Sequence, residues 1–246
     1  MKLLSWAISD VGLKRDHNED SFLADSDLNL YAVADGMGGH AGGNQASHLA
    51  VEELRLVVSE GDPGSLGRRD EAACALMRQA AKRAGQRIFR TARDNPALRG
   101  MGTTLTSLLF YETRVCMAHV GDSRAYLYRD GRVSQLSRDH SWIQEQVRAG
   151  LLTESEARAS KLKHVITRSV GFEEDVQVDT LSMPVLMGDC FLLCSDGLSN
   201  YLTDDELGAL MAATYYSRLP ALLVDLANER GGDDNITVVV VYAANE

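Results

Sequence analysis

Aspartate residues stand at the ends of apolar runs in four separate parts of the sequence. They are Asp35 after 30–34, Asp122 after 118–121, Asp196 after 191–195, and the pair Asp233 and Asp234 before 236–242. Each site has a glycine beside it, which lets another backbone or a ligand approach closely. One such aspartate alone is typical of a turn, but a buried carboxylate is costly without a partner. If these side chains converge, their mutual repulsion requires cations.

The donor atoms of these sites decide which cations they suit. All candidate ligands are carboxylate or carbonyl oxygens, which favour Mg²⁺ or Mn²⁺ over zinc. The six histidines are scattered and form no H-x-x-x-H pair. Two hard cations can bind a phosphate group, lower the pKa of a shared water and stabilise an in-line displacement. The sequence therefore predicts phosphoryl chemistry at an oxygen-ligated metal site.

Other phosphate-binding and catalytic motifs fit the sequence less well. Residues 36–41 fit the G-x-G-x-x-A pattern of dinucleotide sites. However, Asp35 would repel a pyrophosphate, and the helix after this loop leads to a second helix instead of a strand. The chain has no Walker lysine motif, no C-x₅-R thiolate motif and no G-x-S-x-G. A metal-activated water remains the best candidate nucleophile.

Composition limits the domain organisation and the partners. The chain has 246 residues, 45% of them hydrophobic and 24% charged, with only 4 prolines and no low-complexity divider. This length, together with the lack of a dividing segment, predicts a single domain over 1–246. The net charge of −10 argues against broad nucleic-acid binding and against adsorption to anionic lipid. We expect a monomer by default.

Cysteine usage and hydropathy bear on the compartment. The four cysteines contain no C-x-x-C pair and are expected as buried free thiols in a reducing compartment. The N-terminal residues 1–9 lack the long apolar core of a signal peptide. The late apolar run 236–244 is far shorter than the ~20 residues that span a bilayer. These features predict a cytoplasmic protein with no membrane segment.

Hydrophobic periodicity predicts the elements that must position the aspartates. The order is strands, two helices, strands, two helices and a strand, which favours antiparallel sheets with helices packed outside over a parallel sheet. The fold class expected is therefore α+β. The predicted strands are 6–11, 21–25, 30–34, 103–111, 115–120, 125–129, 133–136, 176–184, 190–194 and 236–242, and the helices include 46–57, 70–93, 142–149, 203–213 and 219–229.

An ordered set of motifs resembles the PP2C-type, metal-dependent protein serine/threonine phosphatases, in particular their minimal bacterial members. The resemblance covers the chain from Gly12 to Val241. Its motifs are residues 12–20, 34–43, 101–104, 120–124, 137–140, 165–168, 195–197 and 232–237. The resemblance implies a four-layer α-β-β-α sandwich of two antiparallel sheets, with metals in a cleft at one sheet edge.

The resemblance also implies a set of metal ligands for two Mn²⁺ or Mg²⁺ ions. Asp35 would bridge the two ions, with the Gly36 carbonyl as a further ligand. Asp196 and Asp234 would hold the first ion, and Glu19 would serve the second, partly through water. A third, weaker ion would use Asp122 and Asp196.

The remaining roles that the resemblance implies concern the substrate and the support of the ligands. Arg15 would bind the phosphate, because its planar fork matches two phosphate oxygens. His40 would be the general acid that protonates the leaving seryl or threonyl oxygen. Asp20 would support Glu19, and Asn235 would orient Asp234.

The expected function is hydrolysis of phosphoserine and phosphothreonine in proteins by direct attack of a metal-bridging water, without a phosphoenzyme. Its substrates would be phosphoproteins made by a serine/threonine kinase. Two alternatives remain open: a catalytically silent regulatory module with the same fold, and a hydrolase of small phosphoesters. The sequence departs from the family in 159–164, which lack its His-Pro pair. This segment falls in the expected flap, 144–163, and His164 is interpreted as structural.

Overall fold

The structure is a computed structural model that describes residues 1–61, 66, 69–153, 156–157, 160, 162 and 164–245, without the side chains of residues 40 and 41. The predicted general acid, the side chain of His40, therefore lies outside the described part. So does much of the segment 159–164 within the expected flap.

Two five-stranded antiparallel sheets form the centre of the molecule. The first has the order β1-β12-β11-β8-β9 and the second the order β10-β7-β6-β3-β2, while β4 and β5 form a small separate ladder. The strands are β1 Lys2–Asp10, β2 Ser21–Asp25, β3 Leu30–Ala34, β4 Gly36–Met37, β5 Gly102–Thr103, β6 Leu105–Tyr111, β7 Arg114–Val120, β8 Arg124–Arg129, β9 Arg132–Gln135, β10 Asp179–Pro184, β11 Cys190–Cys194 and β12 Ile236–Ala244.

Helices cover the outer face of each sheet. The described helices are α1 His40–Glu60, α2 Asp70–Asp94, α3 Trp142–Arg148, α4 Asp196–Ser199, α5 Asp204–Ala213 and α6 Leu219–Glu229. The first two pack on the second sheet, and α5 and α6 pack on the first. This confirms the predicted α+β, four-layer α-β-β-α sandwich.

The alternation of side chains along each strand explains the continuous apolar runs. In β3, Tyr31 and Val33 belong to the core between the sheets, whereas Ala32 and Ala34 face the core under the helices. In β12, Val239 likewise faces the other sheet and its neighbours face α6. Because both faces of β3 and β11 are buried, every position in these two strands is apolar until the strand ends. The first polar residue then lies at the rim of the sandwich.

Several element bounds differ from the sequence prediction. The strand predicted over 176–184 is only Asp179–Pro184, because Val176 and Val178 are buried under α2 without joining the ladder. Conversely, β1 begins at Lys2 instead of residue 6 and pairs with β12 along its full length. The helix α4 was not predicted, and it begins at Asp196, one of the candidate metal ligands.

Two further expectations concern thiols and membrane segments. All four cysteines are free, and three of them are buried. Within the described residues, no helix combines the length and the apolar character needed to cross a bilayer.

Candidate metal centre

One cleft of about 520 Å³ brings together most of the predicted site residues. It lies where β3 and β11 end and where β12 begins, so residues distant in sequence meet at one rim of the sandwich. Six carboxylates line it, and Arg15, Gly36 and Asn235 lie among them. The six are Glu19, Asp35, Asp122, Asp196, Asp233 and Asp234.

The backbone of Asp35 is held on both sides by a threonine pair. Its N–H donates to Thr104 Oγ1 at 2.9 Å, and its carbonyl oxygen accepts from Thr104 N and Thr103 Oγ1, each at 2.9 Å. Burial, followed by the nearby carboxylates of Asp20 and Asp196, raises the pKa of Asp35 well above its usual range. A carboxylate in this position is stabilised by a cation.

Asp122 is subject to the same electrostatic repulsion in this cleft. Burial and the neighbouring Asp196 carboxylate raise its pKa well above the ordinary value. Thus Asp35 at the end of β3 and Asp122 in the turn between β7 and β8 are both destabilised in their ionised form. Divalent cations would offset that cost.

The carboxylate of Asp196 has one oxygen engaged and one free. Its Oδ2 accepts from Asn200 Nδ2 at 3.1 Å and lies 3.4 Å from His164 Nδ1. Its Oδ1 is buried and has no hydrogen-bond partner among the described residues. A buried oxygen without a partner is costly, and hard-cation ligation is the chemistry that this donor suits. The donor set therefore fits divalent oxygen-ligated ions.

Asp234 lies beside the predicted phosphate-binding arginine. Arg15 Nη2 donates to Asp234 Oδ2 at 2.7 Å, and the Arg15 side chain is 51% exposed. Asp234 Oδ1 accepts from the backbone N–H of Asn235 at 2.9 Å. Burial and Asp196 raise the pKa of Asp234. The guanidinium thus lies at the cleft with one face open to solvent.

Asn235 acts on a different segment from the one predicted. Its side chain accepts from Glu19 N at 2.8 Å and donates to the carbonyl oxygens of Val11 and His17 at 2.9 and 3.0 Å. The side chain therefore holds the segment that carries Arg15 and Glu19, and only the backbone N–H of Asn235 contacts Asp234.

Asp20 lies beneath the cleft. Its Oδ2 accepts from Thr237 Oγ1 at 2.6 Å, while its Oδ1 is buried without a hydrogen-bond partner among the described residues. Burial raises the pKa of Asp20 to about 7, against the lowering effect of the Thr237 hydrogen bond. When it is ionised, Asp20 therefore adds negative charge next to the carboxylates of the cleft.

Glycine leaves the space that Glu19 occupies. A Cβ on Gly43, in the first turn of α1, would lie 1.8 Å from Glu19 Oε2. A Cβ on Gly36 would lie 2.1 Å from the Gly43 carbonyl oxygen and 2.5 Å from that of Glu19. The glycines of the 34–43 motif therefore allow Glu19 to reach the cleft.

This packing predicts the effect of Gly43→Ala. Alanine favours the helix over glycine by about 1 kcal/mol, so the helix should still form. The new methyl group must displace the Glu19 carboxylate, and it also lies 2.9 Å from the carbonyl carbon of Gly36. We expect Mn²⁺ affinity to fall about tenfold or more, the size of effect seen when ligand positioning is disturbed. Isothermal titration calorimetry measures it.

Gly42→Ala is the matched control for this experiment. A Cβ on Gly42 meets only the Met101 Cβ, at 3.2 Å, and leaves Glu19 untouched. Its Mn²⁺ affinity should stay near that of the unmodified chain. Equal Mn²⁺ affinity in the two variants would show that Glu19 has no part in metal binding.

The described side chains form an acidic cleft and not a closed coordination sphere. Among the part of the chain that the structure describes, no three His, Cys, Asp or Glu side chains are grouped tightly enough to form a ready-made metal cluster. Two of the carboxylates instead contact Arg15 and Asn200. The shared cleft, the raised pKa values and the unpaired Asp196 oxygen are therefore the observations that bear on metal binding.

Three residues of the site were not singled out by sequence reasoning. Thr104 fixes Asp35, Asn200 contacts Asp196, and Thr237 contacts Asp20. Thr104 and Thr237 fall inside motifs 101–104 and 232–237, so the motifs point to both residues without indicating what they do. Asn200 has only helical spacing as a signal, four residues after Asp196 at the C-cap of α4. His164, interpreted as structural, lies at the cleft.

Comparisons with known proteins agree with this geometry. The family model of Protein phosphatase 2C matches residues 14–226. The serine/threonine protein phosphatase PstP of Mycobacterium tuberculosis is 37% identical over 234 residues, which are 95% of this chain and 44% of that protein. The serine/threonine phosphatase stp of Listeria welshimeri is 35% identical over 237 residues, 95% of this chain and 93% of that protein.

Solved structures show the same architecture. The crystal structure of the Mycobacterium tuberculosis phosphatase PstP/Ppp superposes with a TM-score of 0.91 at 36% identity and covers 100% of both chains. The PstP catalytic domain in complex with two manganese ions superposes with a TM-score of 0.88 at 36% identity, covering 99% of each chain.

The two-sheet sandwich is thus the architecture of serine/threonine protein phosphatases, one of which is solved with two manganese ions. The chain belongs to the protein phosphatase 2C family. It spans less than half the length of the mycobacterial relative and nearly all of the Listeria one.

Proposed function

We propose that this chain hydrolyses phosphoserine and phosphothreonine in proteins with the help of two Mn²⁺ or Mg²⁺ ions, and that residues 1–246 form one phosphatase domain. The observation that carries the proposal is the meeting of six carboxylates from distant segments in one cleft, beside an arginine. Burial and mutual repulsion raise the pKa of three of them, Asp35, Asp122 and Asp234, which supports cation binding.

The proposed ligands follow the positions of these carboxylates. Asp196 and Asp234 would hold the first ion, Asp35 would be shared by both ions, and the Gly36 carbonyl would be a further ligand. Glu19 would serve the second ion. Asp122 and Asp196 would hold a third, weaker one. When bound, the ions supply Lewis acidity toward the phosphoryl oxygens and lower the pKa of a water.

The chain itself binds and positions the phosphoester. Arg15 holds phosphoryl oxygens through its exposed guanidinium fork, and Asp234 orients that guanidinium from one side. His40 would donate a proton to the leaving seryl or threonyl oxygen, an expectation that still stands on the sequence motif. Asp20 and Asn235 hold the segment that carries Glu19 and Arg15. The contribution of these residues is positioning and charge stabilisation.

The setting of this activity follows from the composition and the free cysteines. Four free thiols are typical of a reducing compartment, so we place the chain in the cytoplasm. The net charge of −10 argues against nucleic acid and anionic membranes as partners. Its substrates would come from a serine/threonine kinase, in a signalling role, and the chain would act as a monomer.

Metal removal tests the proposal directly. We expect release of phosphate from a phosphothreonine peptide in millimolar Mn²⁺, complete loss with excess chelator, and recovery when Mn²⁺ is restored. Free phosphate measures turnover. Silence toward both the peptide and a generic aryl phosphate would instead identify a catalytically inactive regulatory module. Higher turnover of nucleotides or sugar phosphates than of phosphopeptides would identify a small-molecule phosphoesterase.

A further inference from the structure

Two of the sequence motifs have no part in the proposed reaction, and they meet directly behind Asp122. Motif 137–140 ends at His140, and motif 165–168 ends at Arg168. Both side chains contact Asp179 at the start of β10. The cluster lies next to the turn between β7 and β8 that carries Asp122.

His140 holds both backbone groups of the residue before Asp122. The Gly121 N–H donates to His140 Nδ1 at 3.0 Å, and the backbone N–H of His140 donates to the Gly121 carbonyl oxygen at 2.8 Å. Gly121 has a φ of 108°, and a Cβ there would lie 2.6 Å from Thr104. This residue must be glycine, so it has no side chain of its own to fix it, and His140 holds both of its backbone groups.

The geometry also determines the tautomer of the ring. Because a backbone N–H can only donate, Nδ1 of His140 is the acceptor and the ring proton lies on Nε2. Nε2 lies 3.2 Å from Asp179 Oδ2, which accepts that proton. Arg168 Nη1 lies 3.0 Å from the same nitrogen, but it donates to Asp179 Oδ1 at 2.9 Å. Asp179 therefore accepts a hydrogen bond from each of the two donors, His140 Nε2 and Arg168 Nη1, and this fixes the orientation of the ring.

The ring has little freedom to turn. His140 is buried and packs against His119 with ring centroids 4.8 Å apart. His119 is itself held, because its Nε2 lies 2.9 Å from the Arg138 carbonyl oxygen. Burial, together with the Arg168 charge, lowers the pKa of His140, which agrees with a neutral ring.

The residue after Asp122 is held as firmly as the residue before it. Ser123 Oγ lies 2.7 Å from Thr104 Oγ1, and the Ser123 carbonyl oxygen accepts from Thr106 Oγ1 at 2.9 Å. Thr104 is also the residue that fixes Asp35. The Asp122 turn is therefore held between His140 on one side and the Asp35 support on the other.

The same histidine also contacts the base of the expected flap. The His140 carbonyl oxygen accepts from Thr167 N at 2.8 Å, Ser141 forms a β-bridge with Ile166, and Trp142 N donates to the Val165 carbonyl oxygen at 2.8 Å. One residue therefore ties the two ends of the segment 141–167 to the Asp122 turn.

We propose that His140 is a positioning residue: its Nδ1 holds the Gly121 amide and thereby aims the Asp122 carboxylate into the cleft. Asp179 and Arg168 keep the ring in the orientation that this requires. The inference rests on the proposed function only for the role of Asp122 toward a metal ion; the positioning itself is a property of the metal-free chain.

Three replacements of His140 separate the role of Nδ1 from that of ring volume. Asparagine places an acceptor oxygen near the position of Nδ1, glutamine places one near Nε2, and alanine removes both. In the metal-free protein we expect the Gly121 amide to stay protected from hydrogen exchange in His140→Asn. In His140→Gln and His140→Ala it should exchange about tenfold faster, since one hydrogen bond contributes about 1 kcal/mol.

Metal titration adds a second readout. Calorimetry with Mn²⁺ should show that His140→Gln and His140→Ala weaken the same binding event that Asp122→Asn removes, by about 10- to 100-fold. His140→Asn should retain most of it, and the tighter binding events should be unchanged in all three variants.

Two results in the variants would overturn the inference. The first is a Gly121 amide and a Mn²⁺ titration like those of the unmodified chain in both His140→Gln and His140→Ala. The second is an equal loss in His140→Asn and His140→Ala. A measurement on the unmodified chain is independent of variant folding: the ¹⁵N shifts of His140 must show Nε2 protonated and Nδ1 bare, and the opposite tautomer contradicts the proposal.

The outcomes distinguish this inference from the proposed function. If the chain released no phosphate but Gly121 protection followed the asparagine and glutamine pattern, the phosphatase assignment would fail and the positioning would stand. If turnover were normal but the hydrogen-exchange protection of the Gly121 amide did not depend on His140, the phosphatase assignment would stand and the positioning would fail.

Discussion

Asp35→Asn and Asp196→Asn should each reduce turnover of a phosphothreonine peptide by about 10³-fold or more, because each removes a carboxylate that holds the charge-stabilising ions. Asp35 lies among four other carboxylates that raise its pKa, and Asp196 has a buried oxygen without a hydrogen-bond partner among the described residues. Steady-state kinetics measures the loss of turnover, and calorimetry measures the accompanying loss of Mn²⁺ affinity.

Stability distinguishes lost metal binding from lost folding. Asparagine at position 35 removes a buried charge that its neighbours repel, so the metal-free Asp35→Asn variant should melt no lower than the metal-free parent. The parent, in contrast, should gain stability when Mn²⁺ is added, since a ligand that binds only the native state stabilises it. Asp35→Asn should gain much less.

Asp233→Asn is the matched control for these two variants. Asp233 lies in the same cleft, but its Oδ2 accepts from Tyr201 Oη at 2.6 Å, and it has no proposed metal role. It should keep most of the turnover and the Mn²⁺ affinity. Unchanged Mn²⁺ affinity in both Asp35→Asn and Asp196→Asn would contradict the ligand assignment.

Arg15→Ala should raise KM by about 10- to 100-fold, because hydrogen bonds to a charged group contribute about 1.5–3 kcal/mol. The value of kcat should fall less, since the residues that hold the ions remain. Arg15 donates to Asp234 Oδ2, so its removal frees that oxygen and should leave Mn²⁺ affinity equal or higher. Initial rates over a range of peptide concentrations, with a parallel Mn²⁺ titration, test both points.

Arg15→Lys separates charge from shape. Lysine keeps the positive charge but lacks the planar fork that matches two phosphate oxygens. It should therefore recover only part of the increase in KM. If Arg15→Ala lowered Mn²⁺ affinity as strongly as Asp35→Asn does, the arginine would support the metal centre instead of binding the phosphate.

Much of the sandwich could be predicted because its signals are local. Runs such as 30–34, 190–194 and 219–229 coincide with the observed strands and helix, since burial on both faces or on one helical stripe determines residue type position by position. The strand predicted over 176–184 was too long, because Val176 and Val178 are buried without pairing. Hydropathy reports burial and cannot report which backbone groups pair.

The sequence by itself determined the candidate residues of this protein, their chemical type and, through the resemblance, its family. Acidic residues at the ends of apolar runs are visible one at a time, because each is a local break in a buried strand. Only the tertiary structure decided which of them share a cleft, that the Asn235 side chain holds the Glu19 segment, and that His140 holds Gly121. These contacts join residues far apart in the chain, and their distances are set by strand register and sheet packing, which no local pattern encodes.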